Sequence, residues 1–285
     1  MTTAKRIAYY YTYLTVGVIT VVSIIFYVLI VLFPQIFLPY RIWLFVAFLL
    51  INGMLIYFVG KRYATYMIER IDDTYQSEKA FISNASHELN NPLTAIQGEC
   101  EITLMRERTP DEYQGSLQRI LSETKRIIQL MKHLMFLSKG EEEILKAGTE
   151  PVFLAEYLMQ FMEKRIQFSP DNFAFNLEVN PQLLKTALEN IIGNALKYSG
   201  DKTVEVRLRG SVLEIEDQGI GIPPEELSRI FQPFYRATNT RGYAGNGIGL
   251  SLSVRILRIY GAEVTISSTL GKGTKIRIDF QGVHS

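Results

Sequence analysis

The sequence is poor in cysteine and almost balanced in charge. Cys100 is the only cysteine among 285 residues, so the chain can form neither an intrachain disulfide nor a cysteine-based metal cage. Lys and Arg total 30 against 29 Asp and Glu, which gives a net charge of +1. A protein that binds nucleic acid through bulk positive charge is therefore not expected. The length allows two modest domains, or one domain with membrane anchors.

Two segments lack charged residues altogether, residues 7–33 and residues 42–60. Because about 20 apolar residues in a helix cross the roughly 30 Å hydrocarbon layer, each segment is predicted to be a transmembrane helix. A cleaved signal peptide is the competing interpretation of the first segment. That segment is too long for a signal peptide, and no small-residue cleavage pattern follows it.

The flanking charges predict the orientation of these helices. Basic pairs precede the first segment and follow the second, whereas Arg41 alone lies between them. The excess of basic residues on one side predicts that both termini lie in the cytoplasm. The connection, residues 34–41, is too short to fold as a ligand-binding domain. A stimulus is therefore expected to reach the spans themselves, the lipid, or a partner membrane protein.

A helical hairpin is predicted after Arg62. Apolar or small residues recur every seven positions, at Ile68, Tyr75, Ile82, Leu89 and Ile96, with Ile71, Ala85 and Pro92 in a second row. The segment 109–112 then begins a new helix, with Thr109 as the cap and Pro110 in the first turn. This helix has an apolar stripe, namely Leu117, Ile120, Leu121, Thr124, Ile127, Ile128, Met131, Leu134 and Met135. Two helices cannot enclose so many apolar residues, so a homodimeric four-helix bundle is expected.

The first helix of the hairpin carries a histidine with a carboxylate and an amide close to it. His87 is followed directly by Glu88, and Asn91 lies one turn further on, before Pro92. In the heptad pattern His87 takes the position furthest from the helix–helix seam. A lone histidine on a helix is usually only a solvated side chain. With a proton acceptor and an amide beside it, however, the arrangement suits a histidine that receives a phosphoryl group.

Beyond residues 140–150, which are predicted to form a linker or strand edge, the pattern is mixed α/β. Residues 183–198 form an amphipathic helix with Asn190 and Asn194 one turn apart, and Lys197 and Tyr198 extend the same face. Buried amides need polar partners, and a metal ion bound to phosphates would supply one.

Two glycine clusters follow this helix. A hairpin of residues 204–208 and 212–216 leads into Asp217, Gly219 and Gly221, and a second set, Gly245, Gly247 and Gly249, precedes a helix over 251–260. A carboxylate at a strand end can accept a hydrogen bond from adenine, and amides that open a helix favour phosphate. Either cluster alone would more often be an ordinary turn. Neither completes a phosphate-binding loop or a dinucleotide fingerprint.

In this order the segments resemble the sensor histidine kinases of two-component signalling, over roughly residues 62–280. The matching residues of the phosphoacceptor box are His87, Glu88 and Asn91; those of the nucleotide boxes are Asn190, Asn194, Lys197, Tyr198, Asp217, Gly219, Gly221, Phe231, Phe234, Tyr235, Arg236, Gly245, Gly247, Gly249, Gly273 and Thr274. The implied architecture is a membrane anchor (1–62), a dimerisation and phosphotransfer hairpin (63–140), and a catalytic α/β sandwich that binds ATP (150–285).

The resemblance also implies a division of roles. Asn194 would coordinate Mg²⁺, Asp217 would contact adenine, and Lys197 and Arg236 would neutralise phosphate charge beneath a lid formed by residues 236–247. Glu88 would hold the imidazole of His87 and accept its proton. A response-regulator aspartate would then take the phosphoryl group.

The sequence departs from the commonest pattern at Asn90, where a basic residue is usual. Asn91 keeps the amide expected for dephosphorylation of the regulator, so both kinase and phosphatase activity are predicted. Asn190 stands where gyrase-type ATPases have a glutamate that activates water, which disfavours a stand-alone ATPase. A degenerate kinase acting as an ATP-binding membrane scaffold is the other alternative.

Overall fold

The computed structural model describes residues 3–37, 40–146, 148–171 and 173–283. Residues 38 and 39 of the predicted connection and residue 147 of the predicted linker lie outside these ranges. The chain divides into two compact units, Met1–Ala80 and Phe81–Ser285.

The first unit is helical where it is described, except at Phe33 and Tyr40. It contains α1 (Thr3–Leu32), the one-turn α2 (Pro34–Phe37) and the first part of α3 (Arg41–Leu104). The predicted connection between the two apolar segments is thus partly helical. Within the described part of the chain, two helical segments are long and apolar enough to cross a membrane, Tyr13–Leu32 and Phe45–Leu104. Their apolar side chains are largely exposed. The length and composition of α1 are those that a membrane anchor requires.

The second unit begins with the predicted helical hairpin, formed by the remainder of α3 and by α4 (Pro110–Ser138). The predicted capping box is confirmed. The Thr109 hydroxyl accepts a hydrogen bond from the Glu112 amide at 3.3 Å, and the Glu112 carboxylate accepts one from the Thr109 amide at 2.8 Å. Next to this turn, Arg119 donates two hydrogen bonds to Glu99 at 2.7 and 3.0 Å. Local polar contacts therefore define where the hairpin reverses.

Most of the apolar stripe of α4 is not buried within one chain. Leu117 is 65% exposed and Met135 is 59% exposed, whereas Leu130, outside the predicted set, is only 3% exposed. A single hairpin thus leaves an apolar face in solvent, as the sequence predicts.

The segment predicted as a linker or strand edge, residues 140–150, contains a short helix, α5 (Glu141–Leu145), and a strand begins at its last residue. The strand-edge alternative is therefore wrong for residues 141–145. Three glutamates in the first turn of α5 interact favourably with the helix dipole. Ile144 is 3% exposed and anchors the helix by packing. The segment that joins the hairpin to the α/β part is therefore ordered by burial of one isoleucine.

The α/β part follows the predicted order of elements. It consists of β1 (Glu150–Phe153), α6 (Leu154–Met159), β2 (Ile166–Pro170), β3 (Asn176–Val179), α7 (Pro181–Tyr198), β4 (Val204–Arg209), β5 (Val212–Glu216), α8 (Gly249–Ile259), β6 (Glu263–Thr269) and β7 (Gly273–Asp279). Five strands form a sheet in the order β2-β4-β5-β7-β6, with β2 and β4 parallel and the other neighbours antiparallel. Strands β1 and β3 form a separate antiparallel pair.

One layer of helices covers one face of the five-stranded sheet. Alternate residues of the central strands are buried, as in Val204, Val206 and Leu208 of β4. They pack with buried side chains of α7 and α8 in a common core. The hydroxyl of Ser253 in α8 donates to the carbonyl of Ala187 in α7 at 3.0 Å, which ties the two helices together. This layer carries five of the predicted nucleotide residues, namely Asn190, Asn194, Lys197 and Tyr198 on α7 and Gly249 on α8.

The end of α4 belongs to the same core. Leu130 is a member of the buried cluster that includes α7, α8 and the sheet. The guanidinium of Arg255 in α8 donates hydrogen bonds to the carbonyls of Leu137 and Lys139. Carbonyls at the end of a helix otherwise lack intrahelical partners, and a cation there is favoured by the helix dipole.

Candidate nucleotide-binding and phosphoacceptor sites

A cavity of about 280 Å³ lies between α7, α8, the sheet and the lid, residues 236–247. The predicted site residues that line it are Asn190, Asn194, Lys197, Tyr198, Asp217, Gly221, Arg236, Gly245, Gly247, Gly249 and Thr274. The structure thus brings together side chains that are separated by up to 84 positions in the sequence. Gly219 does not line the cavity, but its amide contacts Asp217, as described below.

The polar face of α7 supplies the two asparagines. The helix begins at Asn180, whose side chain accepts hydrogen bonds from the amides of Gln182 and Leu183 at 3.1 and 3.2 Å. Asn190 and Asn194 lie one turn apart and both face the cavity. The buried Nδ2 of Asn190 has no hydrogen-bond partner among the described residues. Since an unpartnered buried amide is costly, this position favours a polar ligand.

Asp217 follows β5 at the inner end of the cavity. Its Oδ1 accepts hydrogen bonds from the amides of Gly219 at 2.8 Å and Thr274 at 3.2 Å. Burial raises the pKa of this carboxyl group, and the two hydrogen bonds oppose that rise. Both bonds reach the same oxygen, so Oδ2 is available to a ligand in the cavity.

Glycine is required beside Asp217 for a steric reason. A Cβ atom at position 219 would lie 2.3 Å from the carbonyl oxygen of Tyr198, at the end of α7. No side chain can be accommodated without moving that backbone. The first glycine cluster therefore holds the strand end against the helix that carries the asparagines.

Backbone carbonyls of the lid accept hydrogen bonds from Arg236, within the lid, and from Lys197 of α7. Arg236 donates to the carbonyls of Thr240 and Tyr243 at 3.0 and 2.6 Å. Lys197 donates to the carbonyl of Ala244, and the rings of Tyr198 and Tyr243 have centroids 5.1 Å apart. Both cations predicted to contact phosphate are therefore paired with neutral acceptors of the lid.

A buried carboxylate anchors the base of the lid. Glu226 is 7% exposed and accepts hydrogen bonds from the amide of Thr238 at 3.1 and 3.3 Å. The side-chain amide of Asn239 donates to the carbonyl of Gly221 at 2.8 Å. These contacts join the lid to the first glycine cluster.

His87, Glu88 and Asn91 lie apart from the cavity, on α3. His87 and Asn91 are exposed and Glu88 is half-buried. No hydrogen bond or ion pair joins the His87 side chain to any other residue in the part of the chain that the structure describes. Pro92 lies inside α3 and has no amide hydrogen to donate to the carbonyl of Glu88. The imidazole is accessible, next to a locally weakened turn of helix.

Sequence reasoning missed the apolar wall of the cavity, which consists of Ile191, Ile215, Ile220, Ile222, Ile230, Ile266 and Ile276. Three of these residues are in register across neighbouring strands. Ile276 of β7 pairs with Ile215 of β5 and with Ile266 of β6. The alternating apolar pattern of the strands was the available signal, but it does not distinguish a cavity wall from a core.

Two family models match the chain. The first covers the His87 group on α3, and the second covers the residues of the cavity. Residues 77–143 match the His Kinase A (phospho-acceptor) domain. Residues 179–283 match the histidine kinase-, DNA gyrase B-, and HSP90-like ATPase. The chain belongs to the sensor histidine kinases. Its two matched domains are the phosphoacceptor and ATPase domains of that family, and the second domain implies ATP binding.

Characterised relatives agree with this assignment. The signal transduction histidine-protein kinase ArlS of Staphylococcus aureus is 31% identical over 230 residues, which cover 75% of this chain and 51% of ArlS. The kinase thus spans about half the length of the curated relatives it matches. The predicted family is confirmed.

Two solved structures share the fold. Acinetobacter baumannii histidine kinase AdeS matches with a TM-score of 0.50 at 21% identity, covering 69% of this chain and 98% of that one. Full-length ShkA, solved in complex with AMPPNP, matches with a TM-score of 0.51 at 21% identity, covering 70% of this chain and 45% of that one. At this identity the likeness supports the fold alone.

Proposed function

We propose that this kinase transfers the γ-phosphoryl group of ATP to His87 and then to an aspartate of a response regulator. The observation that carries the proposal is the convergence of Asn190, Asn194, Lys197 and Asp217 on one cavity with an apolar wall. Such a cavity suits a ligand with a flat base at one end and a charged chain at the other.

In this proposal adenine lies against the isoleucine wall, and Oδ2 of Asp217 accepts a hydrogen bond from its exocyclic amino group. The phosphates lie towards Lys197, Arg236 and the first turn of α8. Both cations now bond to neutral carbonyls of the lid. Phosphate oxygens would replace those acceptors with charged ones, and charge-assisted hydrogen bonds are stronger. ATP binding would therefore rearrange the lid.

The asparagines of α7 fit a divalent cation. The amide of Asn190 is buried without a partner for its Nδ2, and rotating the amide by half a turn would present its oxygen instead. Amide oxygen is a ligand that Mg²⁺ accepts alongside phosphate. We propose Asn194 as the direct ligand, with Asn190 beside it. A bound Mg²⁺ would neutralise part of the negative charge of the phosphates.

The transfer step is assigned to His87 and Glu88. Glu88 accepts the proton from one ring nitrogen, and the other nitrogen attacks the γ-phosphorus. The new N–P bond forms as the bond between the γ-phosphorus and the bridging oxygen breaks, and ADP leaves with that electron pair. The exposure of His87 allows the catalytic domain to approach it. Asn91 is proposed to position the water that later dephosphorylates the regulator.

The oligomeric state and the location form part of the same proposal. A second copy would cover the exposed apolar stripe of α4, which gives a dimeric four-helix bundle. The segments 7–33 and 42–60 would both span the bacterial cytoplasmic membrane, with both termini inside. The domains then run over 1–62, 63–140 and 150–285. The stimulus would act on the spans through lipid or a partner membrane protein.

Labelling with γ-labelled ATP and Mg²⁺ tests the proposal directly. We expect the wild-type chain to retain label that is acid-labile and alkali-stable. The variant His87→Gln should retain none. His133→Gln is the matched control, because it removes the other histidine of the hairpin and should label like the wild type. Hydrolysis of ATP without retained label in a folded wild-type sample would contradict the phosphoacceptor role.

A further inference from the structure

Asn52 is a buried polar residue in the middle of the apolar segment 42–60. It is 9% exposed, whereas the neighbouring Ile51 is 60% exposed. Its Nδ2 donates to the carbonyl of Phe48, one turn earlier in α3, at 2.8 Å. Its Oδ1 is buried and has no hydrogen-bond partner among the described residues. One end of the amide is therefore satisfied by its own helix, and the other end is an acceptor without a donor.

Asn52 lies on the face of α3 that packs against α1. The rings of Phe26 and Phe48 stack with their centroids 4.7 Å apart, at an interplanar angle of 19°. Buried or half-buried residues recur every three or four positions in both helices, at 15, 19, 22, 26 and 30 in α1 and at 48, 52, 55 and 59 in α3. This spacing is typical of two helices that each pack along one face. The unpaired oxygen of Asn52 therefore belongs to the interface between α1 and α3.

The hydroxyl of Ser23 lies at the level of Asn52 in this interface. A short connection joins α1 to α3, so the two helices pack as an antiparallel hairpin. Ser23 is three residues before Phe26, about 4.5 Å along α1, and Asn52 is four residues after Phe48, about 6 Å along α3. In an antiparallel pair these two steps run in the same direction. The two side chains thus differ in height by only about 1.5 Å.

The Ser23 hydroxyl can donate its one proton to either of two acceptors. It is half-buried and now donates to the carbonyl of Ile19, one turn earlier, at 2.7 Å. That carbonyl also accepts the backbone hydrogen bond of the helix, so it does not depend on the serine. Oδ1 of Asn52 has no other donor among the described residues. Because an unpaired acceptor is costly where water is absent, rotation of the hydroxyl towards Asn52 is favoured.

We propose that Ser23 and Asn52 form a latch between α1 and α3 that has two hydrogen-bonded states. In the open state, which the structure describes, the hydroxyl of Ser23 bonds within α1. In the closed state it donates to Oδ1 of Asn52 and holds the two helices together. This inference rests on the proposed function, in which both apolar segments span the membrane and the stimulus acts on them. Because α3 continues from Asn52 to His87, a shift of α1 against α3 alters the rate of phosphoryl transfer.

A latch of this strength responds to a weak stimulus. Hydrogen bonds between membrane helices change an equilibrium about threefold on average and about twentyfold at most. Both states are therefore populated at the same time. A small change in lipid packing, or in the position of a partner membrane protein, is enough to shift their ratio.

The test measures the distance between α1 and α3 in the full chain in lipid nanodiscs. Spin labels are attached to Ile25→Cys and Ile51→Cys, at exposed positions of the two helices, in a Cys100→Ser background. Labelled chains are diluted among unlabelled copies, so that double electron–electron resonance records only distances within one chain. Initial rates of His87 phosphorylation are measured for the same variants without spin labels.

Five variants separate the latch from other effects. Ser23→Ala removes the donor, Asn52→Leu removes the acceptor, and a double variant removes both. Ser23→Thr keeps the hydroxyl. Thr20→Ala is the matched control, because the Thr20 hydroxyl donates to the carbonyl of Val16 at 2.8 Å in the same way but is exposed.

We expect two distances between the spin labels in the wild type, in Ser23→Thr and in Thr20→Ala. Ser23→Ala, Asn52→Leu and the double variant should each lower the ratio of the shorter to the longer distance about three- to twentyfold. Their phosphorylation rates should differ from the wild-type rate in the same direction and by the same factor. Equal effects of the single and double changes indicate that the two residues act as a pair.

The latch and the proposed function fail in distinguishable ways. An unchanged distance distribution in Asn52→Leu, or single effects that add in the double variant, overturns the latch. Changed distances with unchanged phosphorylation rates overturn its control of transfer. If the wild type is not phosphorylated, the proposed function fails, and the distances still decide whether Ser23 and Asn52 pair. If Asn52→Leu does not fold, Asn52→Ala decides by the same criteria.

Discussion

Asp217 and Thr274 bond to each other twice across neighbouring strand ends. The amide of Asp217 donates to the carbonyl of Thr274 at 2.8 Å, and the amide of Thr274 donates to Oδ1 of Asp217 at 3.2 Å. Because the backbone of β7 holds one carboxylate oxygen in place, the other has a fixed direction into the cavity. The position of the carboxylate at the cavity therefore depends on the pairing of the two strands as well as on the presence of an aspartate.

Replacing Asp217 by Asn should weaken ATP binding at least tenfold. The amide keeps the size of the side chain but loses the charge, and a hydrogen bond to a charged group contributes about 1.5–3 kcal/mol. Isothermal titration calorimetry with a non-hydrolysable ATP analogue measures the affinity. Asp201→Asn, at an exposed position after α7, is the control and should bind normally. Equal affinity of the two variants would exclude Asp217 as an adenine contact.

Leu130→Ala should destabilise the second unit of the chain, residues 81–285. Leu130 is 3% exposed within the core that joins α4 to the α/β domain, and such truncations cost about 2–5 kcal/mol. For a domain of this size the unfolding midpoint should fall by about 5 °C or more. Scanning fluorimetry of the detergent-solubilised chain measures the midpoint. Leu104→Ala, at a residue that is 82% exposed, should leave it almost unchanged.

Leu117→Asp should separate the dimer without preventing ATP binding. Leu117 lies on the exposed apolar stripe of α4, and a charge on that stripe could be buried against a second copy only at high cost. Sedimentation of the detergent-solubilised chain measures the mass, and calorimetry measures ATP affinity. A wild-type chain that sediments as a monomer under the same conditions would contradict the proposed bundle.

His133 should make the hairpin less stable in mild acid. Burial lowers the pKa of His133 below its ordinary value, so the unfolded chain binds the proton more readily than the folded one. The stability that the neutral ring provides is therefore fully present above about pH 6.5. It is lost as the pH falls below that value. Unfolding midpoints between pH 8 and 5 should decline less steeply in His133→Gln, and parallel declines would contradict this assignment.

Local patterns in the sequence predicted most of the architecture. The segment Thr109–Glu112 forms a capping box because all its partners lie within four residues. The α7 helix and the β4–β5 hairpin follow from periodicity in the same way. The helix at Glu141–Leu145 was not predicted, because five residues are too few to show a helical period.

At the candidate site, too, the sequence predicted the residues involved but not the contacts that arise only on folding. The type and order of the polar residues predicted which side chains would meet in the cavity. The pairing of Lys197 with the carbonyl of Ala244 spans 47 positions and arises only from the folded lid. The rings of Phe81 and Phe234, whose centroids lie 5.6 Å apart, likewise give no periodic signal, because the two residues are 153 positions apart in the sequence.

Arg255 of α8 connects the end of α4 to the α/β domain. Its guanidinium bonds to carbonyls at the end of α4, and it lies six residues after Gly249, where α8 begins at the cavity. A twist of α4 about its axis would therefore be carried as torque to the first turn of α8. Rotation of the hairpin would thus displace, through α8, the end of the cavity at which the phosphates are proposed to lie.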